Sequence, residues 1–172
     1  MNSLTFIFHN SPNQKGFTVV ELLIVISIMA VLSVVSIASF STFNNSQQLN
    51  TAALNVKNMM QYAKSQALSQ INTCTAGQTL VGYKLLACCQ GGSCPVCLSN
   101  NSYEVDVVCS GGSTFVKGEN FPNGVTFDTS NSTSYSFLFN TLSGTVTGTG
   151  NLILKQSNVT KKISVSSTGV IQ

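Results

Sequence analysis

One carboxylate, Glu21, stands near the start of a long run of apolar residues. A charged carboxylate in apolar surroundings costs several kcal/mol unless a cation compensates it or it has a functional role. No Lys or Arg occurs between Lys15 and Lys57, so the run itself supplies no side-chain cation. We therefore expect the partner of Glu21 to be a backbone amine or a group of another subunit.

The residues around this carboxylate, KGFTVVE at 15–21, resemble the processing site of type IV pilins and of the pseudopilins of type II secretion. In that family a dedicated peptidase cuts after the glycine and methylates the new N-terminal residue. A glutamate four residues further on faces the new amine. The resemblance implies cleavage after Gly16, N-methylation of Phe17, and an assembly role for Glu21, which would pair with the Phe17 ammonium of a neighbouring helix.

The apolar run from Phe17 to Phe40 has the length of a membrane span. As a helix, its 24 residues extend roughly 36 Å, and a bilayer core is about 30 Å thick. Lys15 precedes the run and no basic residue follows it for 16 positions, which predicts that the N-terminus stays in the cytoplasm. Two alternatives remain open. One is an ordinary secretory signal cut after the small-x-small stretch 36–38, and the other is a plain single-pass anchor.

All six cysteines follow the apolar run, which places them outside the cytoplasm, where thiols are oxidised. We expect disulfides, and the 15 pairings that six cysteines allow stay open. A zinc site is the alternative, because Cys94 and Cys97 form a C-x-x-C pair. The adjacent pair 88–89 fits a tetrahedral ligand set poorly. The candidates are Cys74, Cys88, Cys89, Cys94, Cys97 and Cys109.

No catalytic constellation is apparent in the sequence. The single histidine, His9, lies in the segment that cleavage would remove. Glu104 and Asp106 could pass for a carboxylate pair, but their i, i+2 spacing is typical of a solvated strand face. We predict a protein that is not an enzyme and that carries no cofactor and no metal.

The pattern beyond the run predicts an amphipathic helix that continues the span as one stalk, because no proline occurs between Pro12 and Pro95. Apolar residues recur there at intervals of three and four. The polar stretch 72–77 is predicted to end the helix. The predicted stripe consists of Leu49, Ala53, Val56, Met60, Ala63, Ala67 and Ile71.

The period then changes to two, which predicts short strands separated by turns. The fold class is therefore α+β, with an antiparallel sheet packed on the helix stripe. The predicted strands are 79–87, 103–109, 125–129, 134–140, 151–156 and 162–166. The predicted divisions of the chain are a leader at 1–16, an assembly helix at 17–40, an amphipathic helix at 41–73 and a β-rich domain containing disulfides at 74–172.

Two further stretches resemble the GspH/FimT branch of minor pilins and pseudopilins. The helix segment MMQYAKSQAL, 59–68, is similar to that branch's Leu-x-x-Ala-Arg-Ser-Glu-Ala-Ile pattern, with Lys64 for Arg and Gln66 for Glu. The C-terminal ISVSSTGVIQ, 163–172, resembles its last strand and terminal glycine turn. The resemblance implies a structural subunit of a type IV pilus or a secretion pseudopilus. Its implied partners are other pilin subunits, the prepilin peptidase and, before assembly, membrane lipid.

Some members of this branch bind DNA through a Gly-Arg-x-Arg motif near the C-terminal turn. This chain has GVIQ at 169–172 and no arginine, and its net charge is only +3. Lys155, Lys161 and Lys162 could contact phosphates, but three lysines give weak and salt-sensitive binding. The sequence therefore favours a single-pass membrane protein that becomes part of a periplasmic or cell-surface filament. DNA binding, and an unrelated anchored or secreted protein, remain the alternatives.

Overall fold

The structure, a computed structural model, describes residues 16–88 and 101–172, and only the backbone of residues 34–39 and 88. It divides into two compact units, Met1–Ser41 and Thr42–Gln172, which are described separately below. The described residues form one helix and eight strands. In chain order they are α1 (Val19–Leu68), β1 (Leu80–Cys88), β2 (Ser102–Cys109), β3 (Gly112–Asn120), β4 (Thr126–Phe127), β5 (Ser136–Asn140), β6 (Val146–Thr147), β7 (Gly150–Gln156) and β8 (Val159–Val165).

In the unit Thr42–Gln172, the apolar stripe of α1 lies in the core. Every predicted member is buried except Ile71, which is 46% exposed. The helix ends at Leu68, four residues before the predicted polar stop, because Gln70 adopts a left-handed conformation (φ 52°) that a helix cannot continue through. The Tyr83 hydroxyl donates to the Ile71 carbonyl at 2.7 Å, which ties the chain leaving the helix to β1.

The stripe packs with a five-stranded antiparallel sheet of order β3-β2-β1-β5-β6. Alternate residues of its strands, such as Leu85, Val105 and Phe137, are fully buried. The α+β class is confirmed. A second sheet of order β4-β7-β8 contributes Leu152 and Ile163 to the same core, where the sequence predicted one sheet. Apolar alternation shows which face of a strand is buried but not which strand lies beside it, so the division of the strands into two sheets could not be predicted from the sequence.

Two strands, β3 and β6, were not predicted. Eight of the nine residues of β3 are exposed, because it is an edge strand that pairs only with β2. A strand that buries almost nothing carries no apolar alternation and therefore no period of two. Strand β6 has only two residues, too few to show any period.

The carboxylates Glu104 and Asp106 are buried, at 5% and 8% exposure, so the interpretation of a solvated strand face is wrong. Strand β2 lies between β1 and β3 and is buried on both faces along most of its length. The Lys84 ammonium of β1 lies 3.8 Å from the Asp106 carboxylate. Burial raises the pKa of Asp106, and the attraction of Lys84 opposes that shift.

A disulfide joins Cys74, in the segment after α1, to Cys109 at the end of β2, with 5.9 Å between the Cα atoms. The side chain of Cys88, and all of Cys89, Cys94 and Cys97, lie outside the described residues. With one bridge assigned, four cysteines allow three complete pairings instead of fifteen.

The C-terminal turn is held to α1 by Lys64, whose ammonium donates to the Gly169 carbonyl at 2.8 Å across 105 positions of sequence. Gly169 has a positive φ of 74°, and a Cβ there would meet the Gly144 carbonyl oxygen at 2.5 Å. Glycine is therefore required at the predicted turn. Lys64 thus links two segments that are distant in sequence through a hydrogen bond.

Replacing both Cys74 and Cys109 with serine in the fragment Thr42–Gln172 should lower its free energy of unfolding by about 2–4 kcal/mol, because the unfolded chain regains freedom that the bridge removes. Urea denaturation without reductant measures the loss. Peptide mapping without reductant should recover Cys74 linked to Cys109, and another partner for either cysteine would contradict the assignment.

The pKa of Asp106 predicts a pH dependence of stability. A pKa that is raised on folding means that the fold favours the protonated form of Asp106. The stabilisation from protonated Asp106 is therefore complete below about pH 4, the ordinary aspartate range. It is lost as the pH rises through the pKa of the folded state. Asp106→Asn should therefore gain melting temperature relative to the natural fragment as the pH rises from about 4 to 7.

Asp128→Asn is the matched control of opposite sign. Hydrogen bonds from the side chain and backbone of Asn131 and the backbone of Ser130 lower the pKa of Asp128, so its contribution is present above about pH 4 and is lost as the pH falls. Glu104 is present in both variants and in the natural fragment, so its contribution to the pH dependence cancels in the comparison. Parallel pH profiles for Asp106→Asn and the natural fragment would contradict the buried carboxylate.

Candidate processing and assembly segment

The start of α1 is capped by Thr18. Its hydroxyl oxygen accepts the backbone N–H of Glu21 at 3.2 Å, and its carbonyl accepts the N–H of Leu22 at 3.1 Å. This is the geometry of an N-cap, whose side chain satisfies one of the amides that the first turn leaves without a partner. Gly16 and Phe17 therefore precede the helix.

Glu21 is the third residue of α1 and the acid of its first turn. The spacing Thr18-x-x-Glu21 fits the capping-box pattern, and a carboxylate at this place is also stabilised by the positive end of the helix dipole. The sequence carried this signal as Thr-x-x-Glu before an apolar run, and sequence reasoning missed it. The position of Glu21 in the first turn therefore favours the start of the helix, whatever its predicted role in assembly.

From Phe17 to Leu32, the first unit presents apolar side chains on every side of its helix. Phe17 is 82% exposed, and all the large apolar residues from Val19 to Leu32 are exposed. The polar groups among them are satisfied within the helix, since Ser27 and Ser33 donate to the carbonyls four residues earlier at 2.8 and 2.7 Å. Glu21 is then the one charged group on an otherwise apolar surface from residue 17 to 33.

Within residues 16–88 and 101–172, no helix meets the length and hydropathy expected of a membrane span. Two ion pairs in this described part are Lys84–Asp106 and Lys117–Glu119, and neither involves Glu21.

The three lysines considered for phosphate contact lie on the hairpin of β7 and β8, and all are exposed. Lys155 pairs with Thr160 and Lys162 with Ile153, whereas Lys161 pairs with the buried Leu154. Because side chains alternate along a strand, Lys161 projects from the opposite face to Lys162. The structure therefore divides these charges between two faces of the hairpin.

Comparison with known protein families matches the prokaryotic N-terminal methylation motif over residues 11–37. The matched stretch contains Gly16, Phe17 and Glu21 and covers 27 of the 172 residues. Neither the comparison with curated proteins nor that with solved structures gave a match.

Proteins with this motif are generally structural and not catalytic. The motif implies processing by a prepilin peptidase, anchoring in a membrane and later assembly with other pilin subunits. The match at residues 11–37, on a chain whose helix begins with a capped and exposed apolar segment, supports a pilin-like or pseudopilin-like subunit of a type IV pilus-like system.

Proposed function

We propose that this chain is a non-catalytic minor pilin or pseudopilin of the GspH/FimT type, which assembles into a type IV pilus or a type II secretion-like pseudopilus through the apolar start of α1. The observation that carries the proposal is the methylation motif at residues 11–37, which includes the start of α1, together with the exposure of every large apolar side chain from Phe17 to Leu32. Such a surface is stable only in lipid or against other apolar surfaces.

Before assembly, residues 17–40 would cross the cytoplasmic membrane with the N-terminus inside. The apolar character and the length of the run support the crossing. Lys15 ahead of the run supports this orientation. The unit Thr42–Gln172 would then face the periplasm or the cell surface. The Cys74–Cys109 disulfide suits that side of the membrane, because disulfides persist in oxidising compartments.

The position of the N-cap supports cleavage after Gly16. The Gly16–Phe17 bond precedes the helix, and no other part of the described chain lies within 4 Å of where a Gly16 side chain would begin. A peptidase could therefore bind this bond without unwinding α1. Cleavage would create an ammonium on Phe17, beside the positive end of the helix dipole, where it is disfavoured unless a carboxylate offsets it.

Glu21 would supply that carboxylate. During packing, the Phe17 ammonium of one subunit would pair with Glu21 of its neighbour, which sets the register between helices that are otherwise uniformly apolar. A buried polar pair that determines register is a well-attested device. DNA binding is the weaker candidate, because the hairpin lysines are divided between two faces and the chain has no arginine.

The processing step can be tested on protein purified from membranes of the natural host. Intact mass and N-terminal sequencing should show a methylated Phe17 as the first residue. Gly16→Leu should accumulate at the mass of the full chain, because a large side chain replaces the glycine at the cleaved bond. A natural chain beginning at Ser39 would establish the secretory-signal alternative, and an uncut chain the plain anchor.

Assembly can be tested with Glu21→Val in the same host. The variant should be processed and held in the membrane but absent from sheared filaments, because an uncompensated charge in the packed interface costs about 3–5 kcal/mol. Immunoblots of the sheared and membrane fractions measure the distribution. The fold of the unit Thr42–Gln172 should be unchanged, as judged by its Cys74–Cys109 bridge.

Two further variants separate pairing from capping. Glu21→Gln keeps a side chain suited to the capping box but removes the charge, so it should fail to assemble as Glu21→Val does. Thr18→Ala removes the cap and keeps the charge, so it should still enter filaments. The opposite result, with Glu21→Gln assembled and Thr18→Ala excluded, would make Glu21 a capping residue and reject the ion pair.

A further inference from the structure

A groove lies between α1 and the edge strand β3 in the unit Thr42–Gln172. Its volume is about 190 Å³. It is lined by Asn55, Asn58, Met59, Tyr62, Lys117 and Glu119. None of these residues is used by the processing or assembly proposed above, so the inference below does not depend on that function.

The lining is built from regular secondary structure. The four helical residues stand at i, i+3, i+4 and i+7, which places them along one face of α1. Lys117 and Glu119 stand two apart and so share one face of β3. Side chains held on a helix and a strand keep their spacing better than side chains on loops, so the groove is formed before any ligand binds.

The charges in the groove compensate each other. The Lys117 ammonium lies 3.4 Å from Oε1 of Glu119. The other carboxylate oxygen, Oε2, accepts the hydroxyl of the buried Tyr103 at 2.8 Å. Burial and this hydrogen bond raise the pKa of the Tyr103 phenol, which therefore remains a donor. Glu119 is thus held in place from two sides, and the groove has no net charge.

The hydrogen-bonding groups that remain alternate donors with acceptors. Each exposed carboxamide, Asn55 and Asn58, offers two N–H groups and a carbonyl oxygen, the Lys117 ammonium has further N–H groups, and the Glu119 carboxylate has further lone pairs. Met59 and Tyr62 add apolar surface. A ligand complementary to this lining carries closely spaced groups that both donate and accept, has an apolar edge, is uncharged and is compact.

Adjacent hydroxyls on a sugar ring have these properties, since each hydroxyl both donates and accepts and the ring carbons are apolar. We propose that this groove binds a neutral saccharide, one ring at a time, with Asn58 and Glu119 contacting its hydroxyls. A free amino acid is the competing class of ligand, because its carboxylate and ammonium would each pair with Lys117 and Glu119 and separate them.

The test is saturation-transfer NMR and titration on the full chain, in micelles of a detergent without a sugar headgroup. The probes are D-glucose, D-galactose and N-acetyl-D-glucosamine, with L-serine as the amino-acid probe. At least one sugar should bind with a millimolar Kd, and L-serine should not bind. Asn58→Leu fills the groove and should weaken sugar binding at least tenfold, as should Glu119→Gln, which keeps an acceptor for Tyr103.

Gln61→Leu is the matched control, because it makes a similar change at an exposed position of the same helix, outside the groove. It should leave sugar binding unchanged, and equal circular dichroism spectra would show that all variants keep the fold. Three results would each overturn the proposal: no saturation transfer from any of the three sugars, sugar binding that Asn58→Leu leaves intact, or binding of L-serine in place of the sugars.

Discussion

The structure depends on how the apolar surface of α1 is removed from water. Between Leu49 and Ala67, the two sheets cover the apolar stripe, and the resulting core holds the unit Thr42–Gln172 together. From Phe17 to Leu32, the apolar side chains are exposed on every side of the helix. Burial of apolar area is the main favourable term in both folding and association. The same helix is thus a core element in one unit and an unsatisfied surface in the other, which is what an assembling subunit requires.

Polar groups along α1 are placed so that they do not oppose this burial. Thr18 caps the first turn, and the hydroxyls of Ser27 and Ser33 donate hydrogen bonds to backbone carbonyls of the helix. Buried polar groups cost free energy only where they lack a hydrogen bond. In the covered part, Lys64 extends to the Gly169 carbonyl and fastens the chain end. Glu21 is the exception, because in the proposed function its carboxylate pairs with the Phe17 ammonium of a neighbouring subunit.

Prediction from the sequence succeeded where burial produces a period. The apolar residues recur at helical spacing in the stripe from Leu49 to Ala67 and at alternate positions in β1, β2 and β5, and this pattern placed these elements within a few residues. It failed for β3, which buries almost nothing, and for Asp106, whose outward face in β2 is covered as well. It also missed the N-cap formed by Thr18, although the Thr-x-x-Glu pattern is local and was available in the sequence.

The sequence by itself determined the features that depend on neighbouring residues alone: the motif around Gly16 and Phe17, the apolar run and the α+β class. Only the tertiary structure decided the pairing of Cys74 with Cys109, the division into two sheets, and the groove between α1 and β3. These features join residues tens of positions apart. Their proximity depends on which strands pair and on how the helix packs against them, and local periodicity carries no information about either.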